Sequence, residues 1–369
     1  MRKSWVSHRF DEVFDLQMGK TPARDNPSYW GEGNIWVSIA DMKDVKYISS
    51  SKEQITDVAV RESGIKPVKK GTAIMSFKLS IGKAAIANTD LYTNEAIMSF
   101  SVKNGHRIKP EFIYYFLKGF KWAGANKAVM GLTLNKKTIA SNFFSYPPIA
   151  EQERIVAELD CLTGIIEKKK QQLEELDKLT QSIFYDMFGD PIANEKGWEM
   201  KKLGDVATVL DSKRKPITKS DRKAGVYPYY GATGIQDYVE GFIFDGRYLL
   251  LGEDGARWGA GDKSAFIIEG KSWVNNHAHV LQIGNGAKDV YIQYHLNICD
   301  LLQYITGAIV PKLTQASMVR IPIMLPPLDL QNEFAQKIEA IEKQKELVKR
   351  SIVETETLFN SRMDYWFNY

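Results

Sequence analysis

The sequence predicts an α+β fold in which two globular domains alternate with two long helices, as a pseudo-twofold repeat. Three observations predict it. A Trp-led segment occurs twice, a Pro-Pro segment opening a heptad-patterned helix occurs twice, and stretches rich in Gly, aromatic and β-forming residues lie between them.

The repeat is visible in residue order. Trp5-Val6-Ser7-His8-Arg9-Phe10-Asp11-Glu12-Val13 has its counterpart in Trp198-Glu199-Met200-Lys201-Lys202-Leu203-Gly204-Asp205-Val206. Ser145-Tyr146-Pro147-Pro148-Ile149-Ala150-Glu151-Gln152-Glu153 pairs with Met324-Leu325-Pro326-Pro327-Leu328-Asp329-Leu330-Gln331-Asn332. The offsets are 193 and 179 residues, so one intervening block is 14 residues shorter than the other. Four segments follow: globular domains at 1–148 and 198–327, helical regions at 149–197 and 328–369.

Heptads define the helices. In the first, apolar positions step by four and three through Ile155, Leu159, Leu162, Ile166, Leu173, Leu176, Ile183 and Met187, with Lys169 and Thr180 in the remaining seam positions. Gly189-Asp190-Pro191 is a stop signal. The second carries Phe334, Ile338, Ile341, Val348, Ile352, Phe359 and Trp366, interrupted by Lys345, Thr355 and Arg362. At 1.5 Å per residue, each helix of about 40 residues would be roughly 60 Å long. A helix longer than roughly 25 residues exceeds what is needed to cover one domain's core, so the two are expected to pair as an antiparallel coiled coil.

Inside the globular blocks, Tyr47 through Ile55, Thr72–Phe77, Ala96–Val102, Tyr248–Leu251, Ser264–Ile268 and Ala278–Ile283 read as strands, and Pro110–Lys121 and Val290–Gln303 as helices late in each block. Each block is expected to be an α+β domain built on a twisted sheet.

Composition narrows the function. The 369 residues are 44% hydrophobic, with 49 Lys plus Arg against 45 Asp plus Glu. That length supplies ample core without disulfides. Cys161 and Cys299 match no metal or redox spacing, which fits a reducing cytoplasm. No apolar run approaches the roughly 20 residues that span a bilayer, and no apolar segment follows the basic start, so a soluble cytoplasmic protein is expected. Residues 1–150 carry a net charge of +9, 151–197 of −5, 198–327 of +2 and 328–369 of −2. Basic globular blocks alternating with acidic helices point to a polyanion for the former and protein partners for the latter.

Catalytic patterns fail when tested. Gly19-Lys20-Thr21 matches the end of a phosphate-binding loop, but Phe14 stands where its first glycine is required. Tyr146-Pro147-Pro148-Ile149 lacks the polar first residue of the Asn/Asp-Pro-Pro-aromatic motif of amino-methyltransferases, and no Gly-x-Gly-x-x-Gly opens a helix. His277-x-His279 has no nearby carboxylate or thiol to complete a metal set and reads as structural. The expectation is a binding protein, not an enzyme, with no metal and no cofactor of its own.

The recognition candidates lie on Gly/Pro-rich turns. In the first block they are Lys20, Thr21, Arg24, Trp36, Ser38 and Lys78; in the second, Lys213, Arg214, Lys215, Tyr230, Thr233, Arg257, Trp258, Asn275, Asn276 and His277. Basic side chains on such turns reach phosphates, while Asn, Thr, Arg and aromatic side chains address base edges. The plainer alternative is solvated turns with Tyr and Trp in the core. A competing class is a coiled-coil scaffold tethering two protein- or glycan-binding domains; the +9 first block argues against it, but the +2 second block hardly does.

Over essentially its whole length the chain resembles the specificity (S) subunit of type I restriction–modification systems. The likeness rests on Pro147-Pro148-Ile149-Ala150-Glu151-Gln152-Glu153-Arg154-Ile155 leading into the heptads and on Phe184-Tyr185-Asp186-Met187-Phe188-Gly189 closing them. Tyr229–Gly234, Leu251–Gly255 and Asn275–His277 resemble the framework of one class of recognition domain; Gly19–Pro22, Trp36–Ser38 and Asn94-Glu95-Ala96-Ile97 resemble another. Asp329-Leu330-Gln331-Asn332 departs from the usual Glu-Gln. The resemblance implies two target-recognition domains, each reading one half of a bipartite site in double-stranded DNA. It implies helices that set the spacer and dock two modification subunits, which carry S-adenosylmethionine and methylate adenine. It also implies restriction subunits that bring ATP and Mg²⁺.

Overall fold

The heptads form the helices the sequence predicts. In the computed structural model, residues 4–368 are described except 44, 79, 123–125, 129, 130 and 285, with backbone alone at 126–128 and 131–133. The two long helices run Ile149–Phe188 and Leu328–Phe367. Gly189 ends the first in the left-handed conformation (φ +80°), its N–H donating to the Tyr185 carbonyl at 2.8 Å. Among the described residues no helix is long and apolar enough to cross a membrane. The chain divides into two units, residues 1–169 with 351–369, and residues 170–350. This division cuts both long helices and so differs from a partition at the helix ends.

In the first unit a five-stranded sheet runs in the order Phe14–Met18, Ile97–Val102, Ala73–Ser76, Ala84–Ala87, Tyr47–Ile48. A second sheet sets Trp30–Val37 between Glu53–Ile55 and, in parallel, Tyr92–Thr93. The strand expected from Tyr47 through Ile55 is thus two short strands in different sheets. The helix Pro110–Gly119 buries Phe112, Ile113, Tyr115 and Phe116 with Phe10, Phe14, Phe100 and Phe144. Ile155, Leu159, Met363, Trp366 and Phe367 from the long helices complete this core. Their direction is read from two contacts. Arg362 pairs with Glu158, and Arg154 lies over the Trp366 ring at 5.4 Å, so the segments run antiparallel.

The second unit repeats this plan. Its six-stranded sheet runs Ala207–Val209, Ala278–Ile283, Phe244–Gly252, Ala265–Val274, Ala224–Gly231, Gly234–Val239. The parallel pair recurs, with Tyr229 and Tyr230 opposite Trp273 and Val274 where the first unit sets Trp36 and Val37 opposite Tyr92 and Thr93. A short hairpin then precedes a helical turn and the last strand in both units: Asn126–Ala128 with Gly131–Thr133, and Ile305–Thr306 with Lys312–Leu313. Phe184 and Phe188 pack on Phe334 and Tyr291, while Lys345, only 5% exposed at its seam position, meets Asp177 and Glu342 at 2.7 Å each. These segments too are antiparallel. A buried polar residue in an apolar seam fixes register at some cost in stability. The remaining seam positions, Leu162, Ile166, Leu173, Leu176, Ile183, Ile338, Ile341, Val348, Ile352 and Phe359, are buried or half-buried.

The two glutamines that follow the Pro-Pro segments, both fully buried, explain why that segment occurs twice. Gln152 donates from Nε2 to the Arg107 and Pro147 carbonyls and accepts the Lys109 N–H. Gln331 donates to the Gly286 and Pro326 carbonyls and accepts the Lys288 N–H. The second Pro-Pro segment, which departs from Glu-Gln, keeps the glutamine that makes the bonds.

His295, buried in the second unit's core, accepts the Met324 N–H at Nε2 (3.1 Å), and burial pushes its pKa down to about 4. The unfolded chain therefore binds a proton that the folded chain refuses between pH about 6.5 and 4. Stability is full above that window and declines as pH falls through it, by about 3 kcal/mol in all. Hydrogen exchange at Leu249–Leu251, followed from pH 7 to 4.5, is expected to show this decline, and His295→Asn to flatten it. An equal decline in both chains would remove His295 as its source.

Candidate nucleic-acid interface

In the second unit, five chain segments meet at one end of the sheet: the turn at Asp211–Lys213, the tight turn between Gly231 and Gly234, the loop Glu253–Trp258, the loop Asn275–His277 and the Ile305–Leu313 hairpin. Backbone bonds tie them together. Asn275 N–H donates to the Tyr230 carbonyl, Glu253 N–H to His277 and Leu313 N–H to Glu253.

Beneath them lies a buried ionic network. Arg214 donates to Glu253 (2.5 Å) and lies 3.1 Å from Asp211; it also donates to the Ala278 carbonyl. Lys312 holds the other Glu253 oxygen at 2.8 Å. His279, 1% exposed, meets Asp211 at Nδ1 (2.5 Å) and donates from Nε2 to the Leu313 carbonyl (2.7 Å). Burial pushes the Asp211 carboxyl upward, but hydrogen bonding and charge from His279, the Val280 N–H and Arg214 outweigh it and hold the group below its ordinary range. Glu253 is likewise held low, by Lys312 and Arg214 against its burial.

This corrects the reading of the histidines. Carboxylates are at hand: Asp254 meets His277 at 2.5 Å, and Asp211, Glu253 and His279 offer ligand atoms within 4.8 Å of one another. Sequence distance hid them, since Asp254 is 23 residues from His277 and Asp211 is 68 from His279. Two permanent cations already occupy those carboxylates, so the cluster is an ion-pair network joining loops.

Several predicted contact residues prove to be scaffold. Arg214 is committed to Asp211 and Glu253. Trp258 is buried, its Nε1 donating to the Gly252 carbonyl. Asn275 is 2% exposed, accepting the His277 N–H and donating to Gln236. In the first unit Trp36 is 1% exposed, its Nε1 donating to the Lys20 carbonyl. Each spends its side-chain hydrogen bonds inside its own unit.

The others are exposed or half-buried. Lys213, Lys215, Thr233, Arg257 and Asn276 are exposed, and Tyr230 is half-buried. In the first unit, Gly19 N–H and Lys20 N–H donate to the Ile97 and Thr93 carbonyls, and Asn94 N–H to Val37. A Cβ at Gly19 would lie 2.2 Å from the Thr93 and Asn94 carbonyl oxygens, so only glycine fits there. Thr21 bonds Glu95, Ser38 bonds Asp41, and Lys20 reaches the Ser63 carbonyl. Arg24 makes a two-pronged pair with Glu53 and lies 3.8 Å over the Trp30 ring. Lys78 sits 5.5 Å from the Phe77 ring.

The fold and these loop clusters define a tandem protein: two α+β units of one plan, each with a braced set of polar loops and an antiparallel pair of long-helix segments. The chain belongs to the family of the type I restriction modification DNA specificity domain, whose model matches residues 2–178 and 195–357. It is 29% identical over 235 residues to the type I restriction enzyme MjaIX specificity subunit of Methanocaldococcus jannaschii, covering 58% of this chain. It is 22% identical over 340 residues, 87% of this chain, to the EcoprrI specificity subunit of Escherichia coli. Two curated relatives are matched over 37% and 54% of their own lengths, and the E. coli protein over 83%. The fold is similar, at TM-score 0.59 and 14% identity, to the crystal structure of a type I restriction–modification S subunit from M. genitalium, over 100% of this chain and 97% of that one.

Proposed function

We propose that this chain is the sequence-reading subunit of a type I restriction–modification complex, non-catalytic in itself, and that each unit reads one half of a bipartite DNA site. The observation that carries the reading is the repeated loop cluster at the parallel strand pair of each unit, with Lys213, Lys215, Thr233, Arg257 and Asn276 unpaired among the described residues of the second. Lys213 and Lys215 neutralise phosphates; Thr233, Arg257 and Asn276 are the groups able to reach base edges. The first unit offers Lys20, Arg24 and Lys78 for phosphates, with Arg24 exchanging Glu53 for the backbone.

The long helices pair as one antiparallel coiled coil, set the unspecified spacer and dock two modification subunits. Those partners carry S-adenosylmethionine and flip out an adenine for methylation. Restriction subunits bring ATP and Mg²⁺. The complex works in the cytoplasm.

Salt dependence tests the DNA contact. For the chain assembled with its modification partner, Lys213→Ala with Lys215→Ala is expected to flatten the slope of log affinity against log salt by about two, since each phosphate contact contributes about 0.9. Fluorescence anisotropy across a salt series measures it. An unaltered slope would remove both lysines from the interface.

A further inference from the structure

Ile309 and Val310, at the tip of the second unit's hairpin, are 95% and 63% exposed. Folding gains little from two aliphatic side chains so placed. The tip is nevertheless a built turn. Gly307 adopts φ +92°, and a Cβ there would lie 2.4 Å from the Val310 carbonyl oxygen. Thr306 pairs with Lys312, and Ile305 with Leu313. The base of the hairpin is clamped into the ionic network: Leu313 N–H donates to the Glu253 carbonyl, its own carbonyl accepts from His279, and Lys312 bridges Asp254 through its backbone and Glu253 through its ammonium. The network that braces the polar loops therefore also fixes where this apolar tip stands.

We propose that Ile309 and Val310 contact thymine methyl groups in the major groove of the half-site read by the second unit, which rests on the DNA-reading function proposed above. The major groove, about 12 Å wide, admits a two-stranded ribbon. Aliphatic side chains bring neither donor nor acceptor, and the apolar feature that a base edge presents there is the thymine C5 methyl. The tip thus adds an apolar contact that the neighbouring Arg257 and Asn276 cannot make, and it requires a T·A pair in that half-site.

The test uses the full chain with its modification partner, on duplexes carrying the methylated site mapped for that complex. Each thymine is replaced in turn by deoxyuridine, which removes the methyl alone, and binding is compared for the wild type and for Ile309→Ser with Val310→Ser. One replacement, in one half-site, is expected to weaken the wild type about fourfold, the worth of one buried methyl-sized group, and to leave the double variant unchanged. Ile192→Ser, which alters a residue that is 76% exposed just beyond the first long helix, is expected to bind as the wild type does. A wild-type complex that fails to prefer its mapped site overturns the DNA-reading function itself. If it does prefer that site, the role of the tip is overturned when no thymine separates the two chains, or when Ile192→Ser loses as much as the double variant.

Discussion

Glu253→Ala is expected to destabilise the second unit by about 3–5 kcal/mol, the cost of breaking a buried ion pair from one side. The methyl group leaves Arg214 and Lys312 facing the void of a carboxylate whose oxygens lay 2.5 and 2.8 Å from them. Arg214 has no room to reach water without pulling its own segment away, because it is also bonded to Asp211 and Ala278, whereas the half-exposed Lys312 already meets solvent. The Asp211–Lys213 turn, the Glu253 loop and the hairpin should loosen together. Urea denaturation gives the size of the loss, and hydrogen exchange gives its location, with protection lost at Leu249–Leu251 and Val280 while Phe100 and Ile74 in the first unit stay protected. A loss below 1 kcal/mol would mean that the network contributes little to holding the loops.

Lengthening both long helices by one heptad, between residues 169 and 170 and between 350 and 351, is expected to lengthen the DNA spacer by about three base pairs. Seven residues add about 10 Å of helix, and B-DNA rises about 3.4 Å per base pair. A heptad is the right unit because it keeps the apolar seam facing its partner; four residues would insert a stutter and rotate one end against the other. The effect in a cell is large, since a site with a longer spacer is a different set of genomic positions. Mapping methylated sites for the lengthened chain measures it. Both half-sites should be retained while their separation grows. An unchanged spacer would refute the helices as a ruler and leave recognition untouched.

The helices were legible because their signal is local and periodic: the seam positions chosen by threes and fours are buried or half-buried, and Gly189 stops the first helix where the turn signal stands. The repeat was legible as well, because Gln152 and Gln331 must each follow a Pro-Pro segment to reach three backbone groups. Strands were read only where they are apolar, as at Ala73–Ser76 and Ala278–Ile283. Ala224–Gly231 has no such signal, because it contains Pro228 and two glycines, which are tolerable in a bulged strand of this kind but are not strand formers. The site was the least legible. Arg214, Trp36, Trp258 and Asn275 have the residue types of a DNA contact, but what decides their role is a partner far away in sequence. A charge on a turn reads the same whether it meets a phosphate or Glu253.

The central claim is that each unit reads its own half of one DNA site. Long-read mapping of methylated sites in cells expressing the complex, with the wild-type chain and with Arg257→Ala plus Asn276→Ala, tests it most directly. The account predicts a bipartite wild-type site and, in the variant, relaxed sequence at one or two positions of a single half, with the other half and the spacer unchanged. Equal relaxation in both halves, or a uniform loss of methylation with no change in sequence preference, would contradict it.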